Sequence, residues 1–506
     1  MTTARKYQLT AKRKVLCSAL GKIILPTGTG KSYIQGMVIE QVISNFNPAI
    51  AVILTPRIML TNQLAKDVGR QLAAKGIDVQ FLVMHSGERE DFLFEGERDD
   101  LDNMPEFFKQ QLACLGGDVV TNSNDLAIKM QMAKFEKKSL VICCTYHSCN
   151  KLTLAFEQAN LVADQVLCDE AHYVIEPKFN EQVAALKNHA NSMHFFTATE
   201  KVSSGSTVDS GLGMQNEAFY GPTLYTSTPR QMIQEGWIVG PRMHIEYSPA
   251  DKTEGALVAS AYDEHSKHVP YDAKLLVCCA GYKYIKKVIT DAAFNAYVTA
   301  NNVKVFHISS AGGAWIDGVD YTRDRNTFLS QLRAWPGKAI VLHINILTEG
   351  IDVPDFSGVM FMRNMELARF MQSIGRAMRR HAVDKDKTIE QFDQWVKKYA
   401  WAIFVEREGV AEDEETSSNL KSCIQRMRDA GFLEGVDLRT EVVLSHDEGK
   451  SEVEIERTNE EDDAAIRSKF SDFFDIVHML EREEKARVIT ETAEKLVKDF
   501  VDSMGW

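Results

Sequence analysis

No stretch of 18 consecutive apolar residues occurs in the 506-residue chain, so nothing in it is suited to cross a bilayer as a helix. Its opening, Met1-Thr-Thr-Ala-Arg-Lys-Tyr7, lacks the apolar core of a signal peptide. A cytoplasmic setting without membrane association is therefore expected, the host cytoplasm if the gene belongs to a phage. The nine cysteines form no paired CxxC ladder. Most lie in apolar, strand-like runs, which predicts buried thiols in a reducing compartment and argues against disulfides or zinc. No repeat at solenoid spacing is present. An excess of positive charge is missing too: the net charge is -13. That deficit argues against a polyanionic ligand only until it is divided. Residues 381–506 hold 18 Lys and Arg against 32 Asp and Glu, and the remainder is close to neutral. A neutral region can still present a locally basic groove.

The length suits two or three domains. Short β-rich runs alternate with helix-like stretches, which predicts a parallel sheet flanked by helices. The first series is 22–25, 51–55, 79–84, 140–145, 165–168 and 194–197; the second is 243–247, 275–279, 304–308, 339–343 and 358–362. Between them lie a Gly/Ser-rich loop near 203–213 and a linker around residue 240. After Arg380, 389–407 and 462–504 carry apolar residues at helical spacing, separated by acidic sequence. The expected division is thus two α/β domains, 1–240 and 241–380, and a mainly helical, acidic accessory region, 381–506.

Leu25-Pro-Thr-Gly-Thr-Gly-Lys-Ser32 stands between an expected strand and an expected helix. Pro26 to Gly30 form a loop in which Gly28 and Gly30 let backbone N–H groups, with those of Thr27 and Thr29, approach phosphate oxygens. Lys31 is suited to the β- and γ-phosphates and Ser32 to Mg²⁺. Leu25 replaces the first glycine of the usual pattern. Asp169-Glu-Ala-His172 ends an apolar strand in adjacent carboxylates, Asp169 for Mg²⁺ and Glu170 to activate the attacking water. In Gln372-Ser-Ile-Gly-Arg-Ala-Met-Arg379, Arg376 and Arg379 are three apart on an expected helix, hence on one face, as catalytic arginine fingers. Arg380 is assigned to a solvated surface or a nucleic-acid contact.

In this order the motifs resemble those of superfamily 2 helicases and translocases, in particular the DEAH-type branch that includes type I and III restriction motors and phage branch-migration helicases. The resemblance covers about residues 4–380. It implies two RecA-like domains in tandem, ATP and Mg²⁺ as ligands, and hydrolysis coupled to domain closure. Arg5-Lys-Tyr-Gln8 is similar to the adenine-recognising motif, with Gln8 reading the base edge. Thr55-Pro56-Arg57, Thr145 and Thr348 would hold a nucleic-acid backbone. Gly350 and Asp352 would sense the nucleotide with Gln372, and His172, Thr197 and Thr199 would couple ATP state to movement. The stretch from Pro354 to Gln372 has no room for a long strand-separating hairpin, and no PD…ExK nuclease signature is present. The expected function is an ATP-dependent DNA motor. An RNA helicase, or a nucleotide-gated protein that recruits a partner through its acidic region, are the alternatives.

Overall fold

The computed structural model describes residues 4–85, 118–201, 212–249, 251–309, 312–322, 325–344, 353, 355–363, 367–407 and 442–445. They form two compact units, one built on Met1–Ser227 and one beginning at Thr228. The division falls at Thr228 rather than near 240. Thr228 opens a short helix, Pro229–Gln234, with a reciprocal capping box, and the chain then runs into a strand of the second unit.

In the first unit the strands are β1 (Leu20–Ile24), β2 (Ile50–Thr55), β3 (Gln80–Met84), β4 (Asp118–Val120), β5 (Leu140–Thr145), β6 (Gln165–Cys168), β7 (Met193–Thr197) and β8 (Thr223–Thr226). They pair in the order β4-β3-β5-β2-β6-β7-β1-β8, every described pairing parallel. β5, β6 and β7 are buried along their whole length, as expected of central strands covered on both faces. Helices α1 (Lys6–Leu16), α2 (Lys31–Asn45) and α3 (Ile58–Ala73) belong to this unit.

The second unit holds β9 (Gly240–Ser248), β10 (Lys274–Cys278), β11 (Lys304–Ser309), β12 (Gly313–Ile316), β13 (Val319–Asp320), β14 (Ala339–His343), β15 (Gly358–Phe361), β16 (Tyr399–Arg407) and β17 (Val442–Ser445). Their order is β13-β12-β11-β14-β10-β15-β16-β9-β17. Only the β11-β12-β13 edge is antiparallel among the described pairings.

β16 corrects the expected helix at 389–407. Ile389–Gln394 is a short 3₁₀ segment, and Tyr399-Ala-Trp-Ala-Ile-Phe-Val405 is apolar on both faces. Trp401, Ile403 and Val405 join one core, while Phe404 stacks on Phe361 with ring centres 5.2 Å apart. An amphipathic helix cannot bury both alternations, whereas a central parallel strand does. The expected boundary at 380 therefore passes through this unit. Residues 462–504 lie outside the described residues. No helix among the described residues is long and apolar enough to cross a membrane.

Three of the four described histidines that burial clearly pulls down lie in the second unit, which predicts unequal acid stability. Burial holds His265 and His343 down to about 3 and His307 to about 4, all in the second unit. In the first unit it holds His194 to about 4. Each is a proton that the unfolded chain binds below about 6.5 and the folded chain refuses. This contribution is complete above that pH and is lost as pH falls through the window. At pH 5 the loss is about 2 kcal/mol for each of these four histidines, three of which lie in the second unit. All six tryptophans (237, 315, 335, 395, 401 and 506) follow Thr228, so tryptophan fluorescence reports that unit alone. On acid titration its transition should come at higher pH than the residual loss of far-UV circular dichroism. Coincident midpoints, or a fluorescence change at the lower pH, would contradict the assignment.

Candidate functional site

At the C-terminal end of β1 the chain turns through Leu25–Gly30 into α2. Gly28 and Gly30 both adopt left-handed φ, 85° and 84°, which a residue with a Cβ rarely takes. A Cβ on Gly30 would lie 2.7 Å from Gln8 Nε2, so a larger residue there would also displace that amide. Gln8 Nε2 donates to the Thr29 carbonyl at 3.0 Å, and Tyr7 Oη donates to the same oxygen. Gln8 Oε1 accepts the Arg5 N–H at 2.9 Å, which closes the start of α1. The amide expected to read a base edge thus braces the phosphate loop from α1, and Arg5 supplies the N-cap backbone. Thr29 Oγ1 donates to the Pro26 carbonyl at 2.7 Å. Thr27 Oγ1 is buried with no hydrogen-bond partner. Lys31 opens α2 with its side chain buried and Nζ 3.2 Å from the Leu25 carbonyl, and Ser32 follows half-buried in the first turn.

Asp169 and Glu170 follow β6. The Asp169 N–H donates to the Leu54 carbonyl at 2.8 Å, and its Oδ1 accepts Gln35 Nε2 of α2 at 2.7 Å. Tyr146 Oη donates to the Asp169 carbonyl at 2.8 Å. Burial, reinforced by the neighbouring Glu170 charge and opposed by Lys31, pushes the Asp169 carboxyl up to about 7. Glu170 sits at φ 46°, ψ 49°, a strained conformation for a non-glycine residue. That turn breaks the strand alternation that would send adjacent side chains to opposite faces. Glu170 Oε2 is buried without a hydrogen bond, 3.5 Å from His172 Nδ1. His172 Nδ1 is 3.1 Å from Thr197 Oγ1, which donates to the Thr199 carbonyl at 2.9 Å and accepts the Thr199 N–H at 3.2 Å. The residues expected to couple nucleotide state to movement therefore form a continuous polar chain from Glu170 to the end of β7.

Gln35 and Tyr146 were not among the expected site residues. Gln35 had a signal: it is four residues after Lys31, on the same face of α2. Tyr146 had none beyond its place beside Thr145.

Thr55 and Thr145, expected to hold a nucleic-acid backbone, are register partners at the ends of β2 and β5 and are fully buried. The Thr55 hydroxyl meets that of Thr61 and the Arg57 carbonyl, which ties it to the start of α3. Pro56 is buried and Arg57 half-buried at the same turn. Thr348, Gly350 and Asp352 lie outside the described residues.

In the second unit, Gln372 and Arg376 are buried on the helix Leu367–Ala377. Arg379 lies two residues beyond the helix end and is half-buried, so the two arginines do not share a helix face as expected. Arg380 is not at the surface either. Its guanidinium donates to the carbonyls of Gly236 (3.1 Å), Asp384 and Lys387 and lies 4.0 Å over the Trp395 ring. An arginine so engaged is a structural anchor. Burial, with the Arg363 and Arg376 charges, keeps nearby His343 neutral.

The first unit has the features of a phosphate and cation site. It combines left-handed glycines before a helix N-terminus, a buried hydroxyl in the loop with no hydrogen bond among the described residues, a buried lysine, and a carboxyl, Asp169, that burial and the neighbouring Glu170 charge push up. Ser32 and Asp169 fit Mg²⁺, which typically takes one or two protein oxygens and keeps several waters.

Residues 2–202 match the ResIII family, described as type III restriction enzyme, res subunit. No curated protein matches the chain. Among solved structures it is similar to the ATP-dependent Type ISP restriction-modification enzyme LlaBIII bound to DNA, with 15% identity over 94% of this chain and 32% of that one and a TM-score of 0.62. A nuclease-deletion mutant of the Type ISP enzyme LlaGI with a DNA substrate mimic matches at 14% identity over 99% and 33% of the two chains, TM-score 0.58. A fragment of a putative HsdR subunit of a type I restriction enzyme from Vibrio vulnificus YJ016 matches at 16% over 88% and 69%, TM-score 0.51. The chain spans about a third of the length of the two Type ISP proteins. At these identities the likeness is one of fold: two mostly parallel-strand sheets with helices.

Proposed function

We propose that this chain, which has the superfamily 2 helicase and translocase fold and a ResIII match over residues 2–202, couples ATP hydrolysis to movement along DNA. The observation that carries the reading is the convergence of Lys31, Gln35, Asp169 and Glu170 at the ends of β1 and β6, beside a loop hydroxyl with no hydrogen-bond partner among the described residues. In this reading Asp169-Glu-Ala-His172 assigns the chain to the DEAH-type branch.

Lys31 and the backbone N–H groups from Thr27 to Ser32 bind the β- and γ-phosphates. Ser32 and Asp169 are the residues that would hold Mg²⁺, which when bound neutralises phosphate charge. Glu170 Oε2, which accepts no hydrogen bond among the described residues, takes a proton from the attacking water, and His172, 3.5 Å from that oxygen, orients the carboxylate. Arg376 and Arg379 offset charge that develops on the transferred phosphoryl group. Loss of the γ-phosphate is felt at Glu170 and passes through His172 and Thr197 to Thr199. Gln372, Gly350 and Asp352 respond to the nucleotide, and Arg5 and Gln8 shape its base side.

Thr55, Pro56, Arg57, Thr145 and Thr348 mark the candidate track-binding edge, where Arg57 is half-buried and Thr55 and Thr145, fully buried, act by shaping the strand ends. Contacts to a sugar-phosphate backbone carry little sequence information, so binding should be sequence-tolerant and salt-sensitive. DNA is favoured because two of the similar structures, each matched over most of this chain, are named as bound to DNA or to a DNA substrate mimic. A reducing, cytoplasmic setting suits the six buried free thiols among the seven described cysteines. The acidic sequence near the C-terminus remains the candidate for a protein partner.

Displacement of a third strand from a triplex tests movement, because a motor running along the duplex strips it off. The expected result is ATP-dependent displacement from DNA. Displacement from RNA alone would favour the RNA helicase, and ATP turnover with neither would favour a nucleotide-gated switch.

A further inference from the structure

We propose that Lys397, from outside every motif, is a positioning residue for Arg379; this rests on the reading of Arg379 as a charge-neutralising group in ATP hydrolysis. The helix Leu367–Ala377 ends two residues before Arg379. Its last carbonyls have no partner within the helix and carry the negative end of its dipole. Lys397 Nζ meets them: it donates to the carbonyl of Ala377 and, at 2.5 Å, to that of Phe356, two residues before β15. One ammonium thus ties the end of the arginine helix to the root of a central strand.

The lysine is itself held. Asp384, fully buried, accepts the N–H of Lys397 on Oδ2 and that of Val396 on Oδ1, both at 2.9 Å, and Lys387 Nζ at 2.9 Å on Oδ1. On the far side of Arg379, Arg380 is fixed to Gly236, Asp384, Lys387 and the Trp395 ring. The Val239 N–H donates to the Met378 carbonyl at 2.9 Å. Residues 377, 378 and 380 are each tied to a different element, and Arg379 takes its place from them.

An apolar side chain would fill the same volume without taking a cation out of water, and a buried ammonium persists only where other groups replace its hydration. Burial pulls Lys397 down to about 7, with Asp355 opposing and the Arg379 charge adding to the fall. What the lysine supplies beyond volume is a charged donor aimed at the end of one particular helix.

A double-mutant cycle tests this, run on the full chain with saturating DNA and thermal unfolding as the check on folding. Lys397→Met should lower kcat by about 10–100-fold with KM for ATP nearly unchanged, the signature of a misplaced transition-state group. In an Arg379→Ala background the same change should cost nothing further. A wild-type kcat in Lys397→Met, or an equal loss in both backgrounds, would overturn the proposal while leaving the ATPase reading intact. Absence of turnover in the unmodified protein would overturn that reading, and this inference with it. If Lys397→Met does not fold, Lys397→Gln, which keeps a donor and drops the charge, goes through the same cycle and the same outcomes decide.

Discussion

Glu170→Gln is expected to bind ATP within a few-fold of the unmodified protein and to hydrolyse it about 10²–10⁴-fold more slowly, the usual contribution of a positioned general base. The amide keeps the shape of the carboxyl and can still occupy the left-handed turn at φ 46°. It cannot accept a proton from water at neutral pH. Nucleotide affinity should hold or improve, because the change removes one of the two negative charges that oppose each other in this pocket. Oε2 is buried and makes no hydrogen bond among the described residues, so the one contact altered at that atom is the 3.5 Å approach of His172 Nδ1. Equilibrium binding of a non-hydrolysable ATP analogue and steady-state phosphate release, on one preparation, separate the two effects. A rate matching wild type would remove Glu170 from the chemistry, whatever the affinity.

Lys31→Ala should have the second large effect, a fall in kcat/KM of about 10²–10³-fold or more, comparable to removing a donor from a charge-stabilising site. Lys31 is the ammonium that faces Asp169, and its charge is what holds that carboxyl down against burial and Glu170. Without it Asp169 should rise further and bind a divalent cation less readily near neutral pH. Affinity and turnover should therefore both fall, unlike the split expected for Glu170→Gln. The side chain makes a single described hydrogen bond within the protein, to the Leu25 carbonyl, so thermal unfolding should move little. Retained turnover in a folded Lys31→Ala protein would refute the assignment of this loop to phosphate binding.

Much of this architecture is legible in local sequence. β2, β5, β6 and β14 lie within a residue of the runs expected for them, because central parallel strands are continuous apolar segments with sharp polar ends. The phosphate loop is legible because its demands are local: left-handed glycines, then a lysine and a serine opening a helix. What escapes the sequence is set by distance or by a competing pattern. The hydrogen bond from Gln35 to Asp169 joins residues 134 apart. Gln8 bonds the loop itself, although the resemblance implies a base contact. β16 hides because apolar residues at three- and four-residue spacing also fit alternation when both faces are buried. Arg379 falls past the helix end, since helical spacing carries no mark of where the final turn stops. Arg380 looks like one more surface cation until the chain that follows folds back and supplies Trp395 and two carbonyls, and Gly236, 144 residues earlier, a third.

The most direct test of the central claim is the steady-state rate of phosphate release by the full chain, measured with and without duplex DNA and repeated with RNA. Magnesium-dependent hydrolysis that rises on addition of DNA and disappears in Lys31→Ala is the predicted result. Hydrolysis indifferent to any nucleic acid, or none at all in a folded, nucleotide-binding protein, would contradict it.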